Sequence, residues 1–444
     1  VFDVPPKIEI YRARFIISYH NRVLQTLILS APVGTVKGDF VLEAENVVDP
    51  SFEGLAKRPK FDAAIIVNDS PSGIPAAITM KGNEAILANM EHLNGLKEDL
   101  RKFILEKAAF PPPGRSYAIK QIADLIIPLS KTGKNLWDEL PKNAKGLLNE
   151  KTQHIQIVDA VSGAYFPAEF IYWGEYPDND AKLCPHGEKA LESDSKACLE
   201  NCTNKDNPKF VCPLDMWGFR MVIERQPATG EPQLGFILRN TTGSQKNNRA
   251  NILDNVVVSV SNKVNSASKN AVRGLVKKLE KVSQKVSIAK NWKELAATVN
   301  KESPTLLILL PHSGVDATIP GKPPKLELGG EWLPRGALKE AHIIGPKSDR
   351  PVVLLLGCET KIAEIPFLNF IKRFKDCGAA MVMGTITQID ALRTVDFVKR
   401  LAAEIETSGN TKTFGELLLS SRRNMLAKGD GYALSLLAYG DSDQ

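Results

Sequence analysis

The sequence predicts an α/β protein with a mainly parallel sheet flanked by helices, preceded by a β-rich module, and three observations carry that prediction. From residue 250 onward, short apolar runs alternate with amphipathic helical patterns: Asn255 to Val260, Val286 to Ala289, Thr305 to Leu310, Pro351 to Leu356 and Ala379 to Met383. Those around the third and fourth runs are bounded by Pro and Gly and apolar throughout, as strands buried on both faces must be. The first part of the chain has a different period, with apolar and polar residues alternating one by one.

That N-terminal module spans residues 1–112. Alternation over Ile8 to Ile17 and Val23 to Leu29 reads as two strands joined by a His20-Asn21-Arg22 turn, and Phe40 to Ala44 and Phe61 to Val67 add two more. Asn89 is positioned to cap a helix through Met90, Leu93, Leu96, Leu100 and Ile104, whose apolar residues recur every three or four positions. Phe110-Pro-Pro-Pro-Gly114 then breaks the chain. A second segment, 113–240, carries a helical pattern from Tyr117 to Leu129, a strand at Ile155 to Val158 and the stretch Phe166 to Tyr172. Asn240 to Arg249 is polar and aperiodic, the clearest linker, and the alternating strands and helices of 250–444 follow, with helices around Phe397 and Phe414 before a closing strand.

Composition narrows the function classes. At 444 residues, 43% hydrophobic and 24% charged, the chain has room for two or three globular domains. A net charge of +6 is too small an excess to imply direct nucleic-acid binding. Lysines cluster from Lys263 to Lys290, but they punctuate a helical pattern and read as its solvated face. No apolar stretch approaches the roughly 20 residues of a membrane span, and no signal-peptide pattern opens the chain, so a cytoplasmic protein without a membrane partner is expected. The start at Val1 rather than Met is expected of a trimmed or excised piece. No Walker, dinucleotide or Gly-x-Ser-x-Gly signature accompanies the α/β pattern.

Four of the six cysteines, Cys184, Cys198, Cys202 and Cys212, fall in a polar insert, 184–212, with little apolar content of its own. Such a lobe buries too little surface to fold unaided. Four thiolates around a structural zinc fit the count, with His186 as a substitute ligand; two disulfides, disfavoured in a reducing compartment, and unconnected thiols are the alternatives.

The chemistry concentrates on His312 and Cys358, each at the C-terminal edge of an apolar run, Thr305 to Pro311 and Pro351 to Gly357. If the two strands are parallel neighbours, both residues reach the edge where open α/β sheets place their sites. A cysteine attacks as the thiolate, so an imidazole that takes its proton makes it reactive near neutral pH. Cys358 is then the nucleophile and His312 the base and later acid, with backbone N–H groups of Cys358 and of a Ser313-Gly314 turn holding the oxyanion. A buried histidine and an inert cysteine are the plain alternative.

Residues 250–444 resemble the CHAT domain, a caspase-like peptidase module often found in bacteria. The histidine precedes the cysteine at roughly the 50-residue spacing of caspases. Leu356-Gly357-Cys358-Glu359-Thr360 is similar to the family's nucleophile motif, and Leu326 to Leu333 to the hairpin between its histidine and cysteine strands. Cys377 to Gly384 resembles the next helix end and strand, and Tyr432 to Asp441 the terminal strand. Two departures stand out: Ser313 precedes Gly314 where the family has Gly directly after the histidine, and Thr387-Gln388 replaces a Trp-Pro.

The resemblance implies a caspase-like sheet, with residues 113–240 as a pseudo-protease-like half carrying the cysteine-rich insert. It implies that Gly357 gives room for substrate and that Glu359 orients its loop or is a solvated turn residue. Asp390 lines the substrate cleft or caps the following helix. A cysteine endopeptidase is implied, one that cuts a specific protein, such as a gasdermin-like or other effector, in bacterial antiviral defence or programmed death after release by an activating partner or sensor. The alternative is a catalytically inactive CHAT-like scaffold or protein-interaction module.

Overall fold

The computed structural model describes residues 10–33, 38–48, 55–69, 73–108, 119–160, 164–192, 202–228, 233–234, 251–316, 318, 323–346, 350–357, 366–386, 391–409 and 411–443. They gather into two units, each discontinuous in sequence: Val1–Met90, Lys142–Tyr165 and Arg225–Asn247 in one, Glu91–Pro141, Phe166–Glu224 and Asn248–Gln444 in the other.

The first unit is built of sheets, as its period of two predicts. Ile10–Tyr19, Arg22–Pro32, Val41–Val47 and Gln233–Leu234 form a four-stranded sheet in that order. Its first turn places His20 (φ 49°) and Asn21 (φ 61°) in the left-handed region, the geometry whose twist suits a two-residue hairpin. A second sheet carries, as consecutive neighbours, His154–Asp159, Ala63–Asp69, Pro75–Lys81 and Glu84–Asn89. Its last hairpin turns at Gly82 (φ 59°). Asn89 ends that hairpin instead of capping a helix; the helix begins at Leu93, with His92 in the capping position.

The strand at His154–Asp159 pairs in parallel with Ala63–Asp69 and buries Val158 against Ala64, Ile66 and Met80. Gln156, fully buried beside it, accepts the Val23 N–H at 2.7 Å. A strand far along the chain thereby completes the N-terminal core, which is why the unit is not one contiguous stretch.

The second unit is mixed α/β. Its early part holds the helices Leu93–Phe103 and Ile119–Asp138 and an edge-to-face cluster of Trp137, Trp173 and Trp217, with ring centroids 5.7 to 6.2 Å apart. The rest alternates strand and helix: β1 (Asn255–Val260), α1 (Asn262–Val282), β2 (Lys285–Ala289), α2 (Trp292–Glu302) and β3 (Leu306–Leu310). A three-stranded antiparallel insert follows, β4 (His312–Val315), β5 (Pro324–Leu328) and β6 (Glu331–Pro334). The chain then adds β7 (Val352–Leu355), α3 (Pro366–Asp376), β8 (Met381–Thr385), α4 (Ala391–Ser408), α5 (Phe414–Ala427) and β9 (Leu436–Gly440).

Local chemistry fixes the helix starts. The Ser261 side chain accepts from Val264 N and caps α1, Asn291 accepts from Glu294 N and caps α2, and Thr413 and Glu416 form a reciprocal capping box on α5. The six-stranded sheet has the order β2-β1-β3-β7-β8-β9. The five strands from β2 to β8 are parallel and β9 is antiparallel to β8. The expected pairing of the histidine strand with the cysteine strand is therefore present, Leu306 opposite Val352 through Leu309 opposite Leu355. Because the chain builds outward from β1 to β2 and then returns to start β3 on the other side of β1, its connections diverge between β1 and β3. In open α/β sheets, sites fall at the carboxyl ends of the strands where the connections reverse in this way. Among the described residues no helix is long and apolar enough to cross a membrane.

Ile308 is fully buried at mid-sheet, opposite Val258 on one side and Leu354 on the other. Ile308→Ala is expected to cost about 2–5 kcal/mol, read as a lower urea midpoint by circular dichroism. An unchanged midpoint would contradict the central place of β3.

Candidate functional site

His312 opens β4, separated from the end of β3 by Pro311 alone, and it is 7% exposed. Register places it opposite Glu327 of β5, and Glu327 in turn opposite Trp332 of β6, so the three side chains share one face of the small sheet. The imidazole and the Trp332 indole meet edge to face at 5.8 Å between centroids. Lys325 lies 5.0 Å from the centroid of the same indole, and a Cβ on Gly314 would stand 2.9 Å from it, so Trp332 walls the histidine.

The first turn of α1 closes the other side. Ser261 N donates to Leu310 O at 2.9 Å, tying the cap residue to the end of β3. Asn262 N donates to Glu327 Oε1 at 3.1 Å, and Gly330 N donates to the same oxygen. A carboxylate at a helix N-terminus is electrostatically favourable, and Glu327, 4% exposed, also satisfies two backbone donors. With the turn held at both points, Lys263 Nζ sits 2.8 Å from His312 Nε2. An ammonium has donors only, so Lys263 donates and Nε2 accepts. That nitrogen is unprotonated in this arrangement.

Beyond β7, Leu356 N donates to Leu309 O at 3.0 Å, continuing the ladder past the last strand residue. A Cβ on Gly357 would stand 2.9 Å from Pro311 O. The backbone at Gly357, immediately before Cys358, thus passes close enough to Pro311, immediately before His312, to leave no room for a side chain between them. Cys358, Glu359 and Asp390 lie outside the described residues.

Ser313 and Gly314 form strand, not the turn the sequence suggests, because β4 pairs along its whole length with β5. Asp316 N donates to Pro323 O. By the alternation of an antiparallel pair, His312 and Gly314 then face β5, and the Ser313 N–H is directed away from it.

In the cysteine-rich insert, Cys198 lies outside the described residues, and among those described Cys184, Cys202 and Cys212 are in no disulfide. Lys182–Leu183 pairs in parallel with Phe210–Val211, so Cys184 and Cys212 each follow the end of the same short ladder. Asn204 Nδ2 donates to the buried Cys184 sulfur at 3.4 Å, and Cys212 N donates to the Tyr172 hydroxyl at 3.4 Å. Burial first, then the nearby Asp215 carboxylate, keeps that phenol protonated well above its ordinary range. Among the described residues, the group of three ligand atoms within 4.8 Å of one another is instead Glu224, Asp441 and Asp443. Ser442 binds Glu224 through both its N and its Oγ at 3.0 Å. Since β9 runs antiparallel, this acidic group lies at the sheet edge opposite to His312.

Sequence reasoning missed Lys263, Glu327 and the role of Trp332. Lys263 had a local signal, a Ser cap directly after an apolar strand, but only the strand order puts that cap beside β3. Cys377 is buried, 2% exposed, with its thiol raised mainly by burial.

Replacing Gly357 by Ala drives a methyl against Pro311 O and is expected to destabilise by about 1–3 kcal/mol, measured as a lower melting temperature. A melting temperature equal to that of the native chain would show the strand ends to be further apart than described. Neither the models of known protein families nor the curated proteins include a match to this chain.

Proposed function

We propose that the chain is a cysteine endopeptidase of the caspase-like clan, its six-stranded sheet caspase-like in arrangement, with Cys358 as nucleophile and His312 as base and later acid. The observation that carries the reading is the close approach of Gly357 to Pro311, which starts the cysteine segment beside the histidine at the carboxyl edge of two paired parallel strands. Attack by the Cys358 thiolate on a peptide carbonyl gives an acyl-enzyme and releases the amine, to which His312 returns the proton; water then hydrolyses the thioester. Ser313, whose N–H the strand aims away from β5, supports a backbone oxyanion donor at that position in place of a glycine. The resemblance to CHAT domains adds the context: a cytoplasmic bacterial defence or programmed-death protease that cuts an effector, gasdermin-like or other, once a partner or sensor releases it. Structural zinc at Cys184, Cys198, Cys202 and Cys212 belongs to the same reading, supported by the adjacent Cys184 and Cys212 and by the N–H donated to the Cys184 sulfur.

One observation favours the alternative, a catalytically inactive scaffold: the nitrogen with which His312 accepts from Lys263 is occupied.

Co-expression with the protein encoded beside it, read by mass spectrometry of new N-termini, separates the two. Products are expected with the native chain, abolished by Cys358→Ala and reduced about 10²–10⁴-fold by His312→Ala. Products that persist with Cys358→Ala exclude the protease. Elemental analysis of the gently purified chain is expected to give one zinc per chain, lost on substituting Cys184 and Cys212 together; a zinc content near zero in the native chain would remove the metal.

A further inference from the structure

We propose that Lys263 is a positioning residue that holds the His312 imidazole neutral and thereby silences the pair in the resting protein. The inference rests on the Cys–His reading of the site. It starts from one contact, the Lys263 ammonium donating to His312 Nε2 at 2.8 Å. For Cys358 to become a thiolate at neutral pH, its proton must pass to His312, leaving an imidazolium against a thiolate. An ammonium in direct contact with the ring opposes that charge on whichever nitrogen it would form, because two cations this close repel and Nε2 can bind no second proton donor while it accepts from Lys263.

Among the described residues, the other charged groups on the elements packed against His312 have partners of their own. Glu327, opposite on β5, would favour the imidazolium, but its Oε1 is committed to the N–H groups of Asn262 and Gly330. Lys325, also on β5, is a second cation, drawn off toward the Trp332 ring and toward Asp316 at 3.9 Å. Glu331 on β6 accepts from Lys293 N. The Lys263 ammonium lies at hydrogen-bond distance from the imidazole, and Lys263 is itself an exposed residue at the start of α1, whereas His312 is buried. The lysine can therefore leave without disturbing the core. An acidic side chain of a protein partner, offered at the carboxyl edge of the sheet, is the chemistry that would take it.

The test uses the full chain and iodoacetamide. The alkylation rate of Cys358 is followed by peptide mass spectrometry between pH 5.5 and 9, and the His312 ring is followed by its ¹⁵N resonances. In the native chain Nε2 is expected to be unprotonated. In Lys263→Met the ring is expected to gain a proton on Nε2, and Cys358 to react about tenfold faster near pH 6.5, its profile moved about one unit to lower pH. Lys263→Arg, which keeps a donor cation at the position, is expected to keep the native profile. Adding His312→Ala to Lys263→Met should abolish the gain. A profile and ring spectrum in Lys263→Met that match the native ones overturn the role of Lys263, while His312→Ala still slowing Cys358 would leave the dyad standing. If neither His312→Ala nor the double variant changes the rate, the dyad itself falls.

Discussion

The parallel ladder between β3 and β7 is the constraint on which the site depends. Backbone hydrogen bonds fix the register from Leu306 opposite Val352 to Leu309 opposite Leu355, and the Leu356 N–H extends the pairing one residue further. Strands buried on both faces must satisfy every backbone group inside the sheet, and the hydrogen bonds of the ladder hold the register. The ends of the two strands are therefore delivered to the same height. Proline on one and glycine on the other let the backbones approach closely, and the two reactive side chain types follow immediately.

A second layer of order comes from the start of α1. Its cap is tied to the end of β3, and its first N–H groups draw in the Glu327 carboxylate, so the helix dipole, the hairpin and the strand end are joined through one small polar cluster. Charges at this point are arranged by backbone geometry more than by long side chains. The exception is Lys263, a flexible chain whose position follows from the turn beneath it. Among the described residues, the site thus combines a hydrogen-bonded backbone frame with the exposed Lys263 ammonium.

The sequence made the frame legible and left the charge arrangement hidden. Continuous apolar runs with Pro and Gly boundaries identify β3, β7 and β8, and their helical spacers identify α1 and α2, because burial on both faces leaves a compositional trace. The hairpin of β5 and β6, Leu326 to Leu333, was suggested by the resemblance to CHAT domains and not by composition. What stayed hidden depends on pairing between distant segments. His154–Asp159 sits far from Ala63–Asp69 in the chain, and nothing in either strand announces their partnership. For the same reason Lys263 passed as one lysine of a solvated helix: its own neighbours on α1 are indeed polar, and only the strand order 2-1-3 turns its first turn toward His312. Asn89 misled in the opposite direction, since an amide before an apolar period suits a cap, but the preceding hairpin holds that residue in a strand.

The close approach of Pro311 and Gly357 has a consequence for how such a protein can diversify. The separation of the two strand ends is set by backbone atoms inside the sheet. The segment between β4 and β5, and the one between β8 and α4, can therefore lengthen, shorten or change composition while that separation is inherited unchanged. Selection can act on the surrounding segments without re-solving how the two strand ends are brought together. Lineages built on this frame would keep those two residue types at 311 and 357 while diverging freely in their surrounding connections.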